Sequence, residues 1–148
     1  MVSVAIGIPQ DFETICDINE VCQKYPEPRK SLLQTLSLPN HHKWVAFVDD
    51  RMAGFLISRW KLVNRANIYN VSVLPEYRKQ GVATALIQEC EKFNAGLQYI
   101  DLHVDVNNPA QKLYFDLGYR ADQIREDFYG EDTKAIHMWK PMGKPCIE

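Results

Sequence analysis

Val2, Val4, Ile6 and Ile8 alternate with small residues at the start of the chain, which predicts a strand that stops at Pro9. Phe12, Ile15, Cys16, Ile18, Asn19 and Cys22 then recur at helical spacing, so a helix with an acidic first turn is expected from Asp11 to about Tyr25. Pro26-Glu27-Pro28 reads as a loop, and a second helix is expected from Arg29 to Leu38. Lys43 to Val48 and Met52 to Ser58 are β-rich runs joined by Asp49-Asp50, the pattern of a hairpin. A further strand is expected from Ala66 to Val73, ending at Leu74-Pro75.

Val82, Ala85, Leu86, Cys90 and Phe93 mark one stripe of a helix from about Arg78 to Asn94. Tyr99 to Val106 reads as a two-faced strand, with Ile100, Leu102, Val104 and Val106 one way and Asp101, His103 and Asp105 the other. Asn108-Pro109 opens a short helix with the stripe Ala110, Leu113, Tyr114 and Leu117, and Gly118 suits the left-handed position that ends it. Two last strands, from about Tyr119 to Asp127 and from Thr133 to Trp139, flank a turn at Tyr129-Gly130. The order β-α-α-β-β-β-α-β-α-β-β describes an α/β (α+β) fold, a mixed sheet with helices on its faces. With no linker or repeat, residues 1–148 are expected to form one domain.

Composition narrows the partners. With 17 Lys plus Arg against 19 Asp plus Glu, the formal net charge of −2 gives no reason to expect nucleic acid or acidic lipid as a partner. Cys16, Cys22, Cys90 and Cys146 form no C-x-x-C pair and show no metal-ligand spacing with His41, His42, His103 or His137, so no metal is expected and the thiols read as reduced. The apolar start lacks a basic leader and is too short for a spanning helix of about 20 residues, which points to a cytoplasmic protein. Either a monomer or a homodimer is compatible with the sequence.

The chemistry concentrates in Val71-Ser72-Val73-Leu74-Pro75-Glu76-Tyr77-Arg78-Lys79-Gln80-Gly81-Val82-Ala83-Thr84, which runs from a strand end through a basic loop into a helix start. First-turn N–H groups lack intrahelical acceptors, and the positive helix end attracts anions. Gly81 lets the backbone approach a bulky ligand, and Arg78 and Lys79 add charge. A pyrophosphate fits these features better than a single carboxylate.

With those residues identified, the chain resembles the GNAT superfamily of acetyl-coenzyme A-dependent N-acetyltransferases. The family signature R/Q-x-x-G-x-G/A is matched by Arg78 to Ala83, and N-x-x-A-x-x-L-Y-x-x-x-G-F/Y by Asn107, Ala110, Leu113, Tyr114, Gly118 and Tyr119. The resemblance implies a GNAT fold of about seven strands and four helices, splayed between the fourth and fifth strands. It implies acetyl-CoA as cosubstrate, its pantetheine arm beside Val71, Ser72 and Val73, and its pyrophosphate on the amides of Lys79, Gln80, Gly81, Val82, Ala83 and Thr84. Asn107 would bond the pantetheine chain. Only two residues separate Val104 from Asn107 where the family usually has three, so either Asn108 takes that role or the fifth strand carries a bulge.

Tyr114 resembles the family's general acid. His103 is the leading candidate for the base because its pKa near 6.5 suits proton uptake, with Asp101, Asp105 or a water as alternatives. The run from Arg125 to Trp139 is similar to the final hairpin of the branch containing ribosomal-protein alanine and other protein N-terminal acetyltransferases. That similarity makes Tyr25, Glu27, Tyr69, Phe128 and Tyr129 the substrate-binding candidates, and a protein N-terminus the acceptor. A small amine such as a polyamine, aminoglycoside or amino acid is the alternative acceptor, and a non-catalytic acyl-CoA sensor is the alternative class.

Overall fold

A computed structural model describes residues 1–62 and 64–143 of the chain, so Cys146 lies outside the described residues. The strands are β1 (Val2–Ile6), β2 (His41–Val48), β3 (Arg51–Lys61), β4 (Arg65–Val73), β5 (Tyr99–Asp105), β6 (Arg120–Glu126) and β7 (Lys134–Pro141). The helices are α1 (Phe12–Cys22), α2 (Arg29–Leu36), α3 (Val82–Phe93) and α4 (Ala110–Asp116). They build one seven-stranded sheet in the order β1-β2-β3-β4-β5-β7-β6, antiparallel except for the β4–β5 pair. The expected element order therefore holds, with shifts at the ends.

Those shifts have local causes. The strand at the start ends at Ile6, and Pro9–Asp11 form a 3-10 turn in which Asp11 Oδ2 accepts the Ile8 N–H at 2.9 Å, so α1 begins only at Phe12. Its other end falls at Cys22 rather than Tyr25, where Gln23 is already extended. Helix α3 begins at Val82 rather than Arg78, because Lys79 and Gly81 take positive φ angles of 63° and 83°. Asp49 and Asp50 both have positive φ, as the tight β2–β3 hairpin requires.

The sheet is packed on both faces. Alternation sends Trp44, Ala46, Leu56, Ile68, Ile100, Leu102 and Val104 toward one face, where they meet Val82, Leu86, Ile87 and Cys90 of α3 and Tyr114 of α4. Val45, Phe55 and Ile57 point the other way, onto Ile15, Cys16 and Ile18 of α1 and Leu32 and Leu36 of α2. Helices α1 and α2 thus lie over the β2–β4 side of the sheet. At the opposite edge every residue of β6 is exposed. Among the described residues no helix is long and apolar enough to cross a membrane.

Strands β4 and β5 pair in register only from Arg65/Tyr99 to Ile68/Leu102. Beyond that point β4 runs on to Val73 and β5 to Asp105 without pairing, so the sheet splays there. The divergence starts at a bulge: Ile57 of β3 faces Asn70 and Ser58 faces Ile68, leaving Tyr69 as the extra residue. The β5–β7 register has no such shift, so the bulge considered for the fifth strand is absent from its pairing with β7.

Candidate active site

The splay opens a cleft of about 890 Å³. Its first wall is the end of β4. The Leu74 N–H donates to Ala53 O at 2.8 Å, so alternation commits Ser72 to β3 as well and turns the peptide groups of Val71 and Val73 toward the gap. Val71 O accepts Gln23 Nε2 at 3.3 Å, and Val73 O accepts Arg78 Nε at 2.9 Å and the Cys22 thiol at 3.3 Å. Ser72 therefore cannot offer its backbone to a ligand in the gap. Its hydroxyl accepts Gln23 Nε2 at 2.7 Å and donates to Asn70 Oδ1 at 2.9 Å.

The second wall is the turn into α3. No side chain caps this helix, and the Gly81 carbonyl first finds a partner in the Ala85 N–H at 3.0 Å. The N–H groups of Val82, Ala83 and Thr84 are thus without intrahelical acceptors at the positive end of the dipole. A Cβ placed on Gly81 would meet nothing within 4 Å, so the space over the turn is open. Lys79, Gly81, Val82, Ala83 and Thr84 all line the cleft, whereas Gln80 does not; its side chain folds back to Glu76 O at 3.3 Å.

Tyr114 lies between the walls. It is buried, it lines the cleft, and its hydroxyl has no hydrogen-bond partner among the described residues. Burial pushes its pKa upward, so the phenol stays protonated. Asn107 and Asn108 also line the cleft, but differently. Asn108 Oδ1 accepts the Ala110 N–H at 2.9 Å as a turn cap, while the side chain of Asn107 is free of such bonds among the described residues.

The end of the cleft nearest the β6–β7 hairpin is built from three elements. His103 of β5 stacks on Phe128 with centroids 4.4 Å apart, and Tyr25 of the α1–α2 loop stacks on Tyr129 of the β6–β7 hairpin at 5.0 Å. Lys24 Nζ lies 4.0 Å from Asp105 Oδ2, and both stacked tyrosines line the cleft. Glu27 is held from both sides: Oε1 accepts the Tyr69 hydroxyl at 2.9 Å, and Oε2 accepts the hydroxyls of Ser31 and, at 3.1 Å, Thr35. Burial, then the neighbouring His137, push the His103 pKa down to about 4, so its imidazole is neutral at pH 7.

Asp101 stands apart from the other base candidates. It is buried outside the cleft lining, accepting Asn67 Nδ2 at 2.9 Å and bonding His137 Nε2 at 2.8 Å. Its two oxygens are fully committed, whereas Asp105 lines the cleft with Oδ1 accepting the Asn107 N–H at 2.8 Å and, among the described residues, Oδ2 held only by the longer contact to Lys24. The sequence reading missed Asn19, Gln23, Asn70 and Arg59, all of which line the cleft. Asn19 had appeared as one polar member of an otherwise apolar helical stripe, and that exception was the available signal.

A model of the acetyltransferase (GNAT) family matches residues 12–119. The chain belongs to this family. It is therefore an acyltransferase by descent. An N-alpha-acetyltransferase of Sulfurisphaera tokodaii is 27% identical over 89% of this chain and 88% of its own length. A Bacillus subtilis protein with the provisional name ribosomal protein bS18-alanine N-acetyltransferase is 32% identical over 88% of this chain and 89% of its own. Among solved structures, the ribosomal-protein-S18-alanine N-acetyltransferase of Escherichia coli superposes with a TM-score of 0.89 at 23% identity, covering 99% of this GNAT chain and 97% of that one. An aminoglycoside 6'-N-acetyltransferase complexed with coenzyme A gives 0.84 at 17% identity, covering 99% of each chain. At these identities the superpositions speak for the fold alone.

Proposed function

We propose that this protein transfers an acetyl group from acetyl-CoA to the N-terminal α-amino group of a polypeptide. The observation that carries the reading is the Tyr25–Tyr129 stack, which joins the α1–α2 loop to the β6–β7 hairpin along the lining of the cleft. We read the space beside it as the place where a chain terminus enters end-on. The names of the relatives from S. tokodaii and B. subtilis support the same acceptor class.

The residues present fit the acetyl donor. The free amides of Val82, Ala83 and Thr84, with the open space over Gly81, suit a pyrophosphate, and Arg78 and Lys79 add positive charge. Val71 and Val73 present main-chain groups to the gap for the pantetheine amides, and Asn107 has the unengaged side-chain amide. The donor supplies the thioester carbonyl. The amine nitrogen forms the new C–N bond as the C–S bond breaks, and the amine gives up a proton while the thiolate gains one. Tyr114, protonated and without a partner for its hydroxyl, is the donor to the sulfur.

On the base side, His103 is kept neutral, so it can accept a hydrogen bond from the incoming amine. With a pKa near 4 it is too weak to hold the proton at neutral pH. We assign it to orienting the amine, with Asp105 or solvent as the final acceptor. An α-amino group with a pKa of about 8 needs little more, because a useful fraction is already neutral at pH 7. Mass spectrometry of peptides with free N-termini, spermidine and lysine after incubation with acetyl-CoA tests the reading. Modification of the small amines alone would overturn it in favour of the small-molecule reading.

A further inference from the structure

Resting on that reading, we propose that the acceptor polypeptide carries acidic side chains just after its N-terminal residue, and that Arg59, Lys61 and Arg125 recognise them.

Residues that share the α1–α2 face of the sheet continue past those helices onto an open shelf. Register places Arg59 beside Asn67 and Asn67 beside Asp101, and their side chains join in one line: Arg59 Nε donates to Asn67 Oδ1 at 3.1 Å, and Asn67 Nδ2 to Asp101 Oδ1 at 2.9 Å. Two residues on from Arg59, Lys61 points to the same side about 7 Å away. Across the cleft the same face continues through His103 and His137 to Arg125, whose guanidinium lies 5.9 Å from the Phe128 ring. His103, already placed at the acceptor end, thus has cations on both flanks.

The carboxylates nearest this shelf are engaged elsewhere, Glu27 by the hydroxyls of Tyr69, Ser31 and Thr35. Asp101 is shared among His137, Asn67 and Arg65, and Asp122 is taken up by His137. Arg59, Lys61 and Arg125 have no carboxylate within 4.0 Å among the described residues, although Arg29, Lys92, Lys112, Lys134 and Lys140 all do. Arg59 is held ready rather than free to swing, its guanidinium 4.7 Å over the Tyr69 ring beside the bulge that opens the cleft. Burial first, then repulsion from Arg59 and Arg65, lowers the Lys61 pKa, and an incoming carboxylate would offset that repulsion. Among the described residues none of the hairpin-tip carboxylates, Glu126, Asp127, Glu131 and Asp132, lies within 4.0 Å of Arg59, Lys61 or Arg125. Glu126 faces Lys134 on the opposite side of the strand from Arg125, and Asp127 Oδ1 accepts the Asp132 N–H at 2.9 Å. An extended peptide whose α-amine reaches His103 has its next side chains over these cations, and acidic ones complement them.

The test uses three octapeptides, identical except for Glu, Gln or Lys at positions two to four, assayed at saturating acetyl-CoA. We expect kcat/KM for the Glu peptide to exceed that for the Gln peptide by about tenfold at low salt, and the Lys peptide to be slowest. The ratio should shrink toward one as sodium chloride rises, and the double variant K61Q/R125Q should hold it below about threefold at any salt. Equal rates for all three peptides, a preference for Lys, or a Glu preference untouched by the double variant would overturn the proposal while leaving N-terminal acetylation standing. Failure of all three peptides alongside acetylation of spermidine would overturn the reading beneath it as well.

Discussion

His137 Nε2 lies 2.8 Å from Asp101 Oδ2, and the opposite ring nitrogen lies 2.7 Å from Asp122 Oδ1. A ring that bonds carboxylates through both nitrogens needs two N–H groups, so it is an imidazolium. Burial opposes that charge, yet the bonds to Asp101 and Asp122 outweigh it and raise the pKa of His137 above its usual value. The arrangement depends on a bulge in β6, where Ala121 faces Met138 and Gln123 faces His137, leaving Asp122 as the extra residue re-aimed at the ring. Three strands are thereby tied together by one cation.

Because the folded pKa of His137 is raised, the stability it contributes is complete below about pH 6.5 and is lost as pH climbs through the raised value. Replacing His137 by Asn should lower stability by about 2 kcal/mol at pH 6, since Asp101 loses its charged partner. The loss should be smaller at pH 9. Urea unfolding at the two pH values checks both the size and the trend.

His103 behaves oppositely. Its folded pKa of about 4 lies below the unfolded value, so it destabilises the fold progressively as pH falls from 6.5 toward 4. The variant His103→Gln should therefore lose less melting temperature between pH 7 and pH 5 than the wild type does. The acid limb of kcat/KM should follow the amine of the peptide, near pH 8, and not move in this variant. An acid limb that shifts on replacing His103 would restore it as a true base.

Tyr114→Phe should cut turnover by about a hundredfold or more while leaving acetyl-CoA affinity within a factor of about three. Steady-state kinetics and calorimetry separate the two. Unchanged turnover would remove Tyr114 from the mechanism.

Gly81→Ala meets no steric obstacle, but φ at this position is +83°, a region that costs an L-residue about 1 kcal/mol. The added methyl would also project into the open space over the turn. Acetyl-CoA affinity is expected to fall by about tenfold, measured by calorimetry.

Breaking the Tyr25–Tyr129 stack with Tyr129→Ala gives up an aromatic pair worth about 1 kcal/mol and widens the space beside it. KM for a peptide should rise several-fold with kcat and acetyl-CoA affinity nearly unchanged. A fall in kcat alone would mean that Tyr129 touches the reacting atoms instead.

The local patterns were enough for the elements, because alternation in β5 and the stripe of α3 each reflect which face meets a core. Gly81, Tyr114 and Asn107 came together only through the resemblance of two motifs to family signatures, and all three line the cleft. What stayed hidden depends on register between strands. The bulge at Tyr69 has no mark in the local sequence, and it decides where β4 leaves β5. Asp101 looked equivalent to His103 by alternation, yet its position in the still-paired part of β5 surrounds it with Asn67 and His137. Arg59 and Lys61 fall just past the run read as a strand, and nothing in that segment shows that Arg125 lies across the gap.

Only four register pairs join β4 to β5, so the fold is two half-sheets sharing a narrow seam. A molecule threaded alongside 69–73 and 103–105 adds rungs to that ladder, and at a hundred times its dissociation constant it contributes about 2.7 kcal/mol. On the proposed reading, occupancy of the cleft by coenzyme A, acylated or free, should stiffen this seam. In the empty protein the seam is where hydrogen exchange and proteolysis should begin.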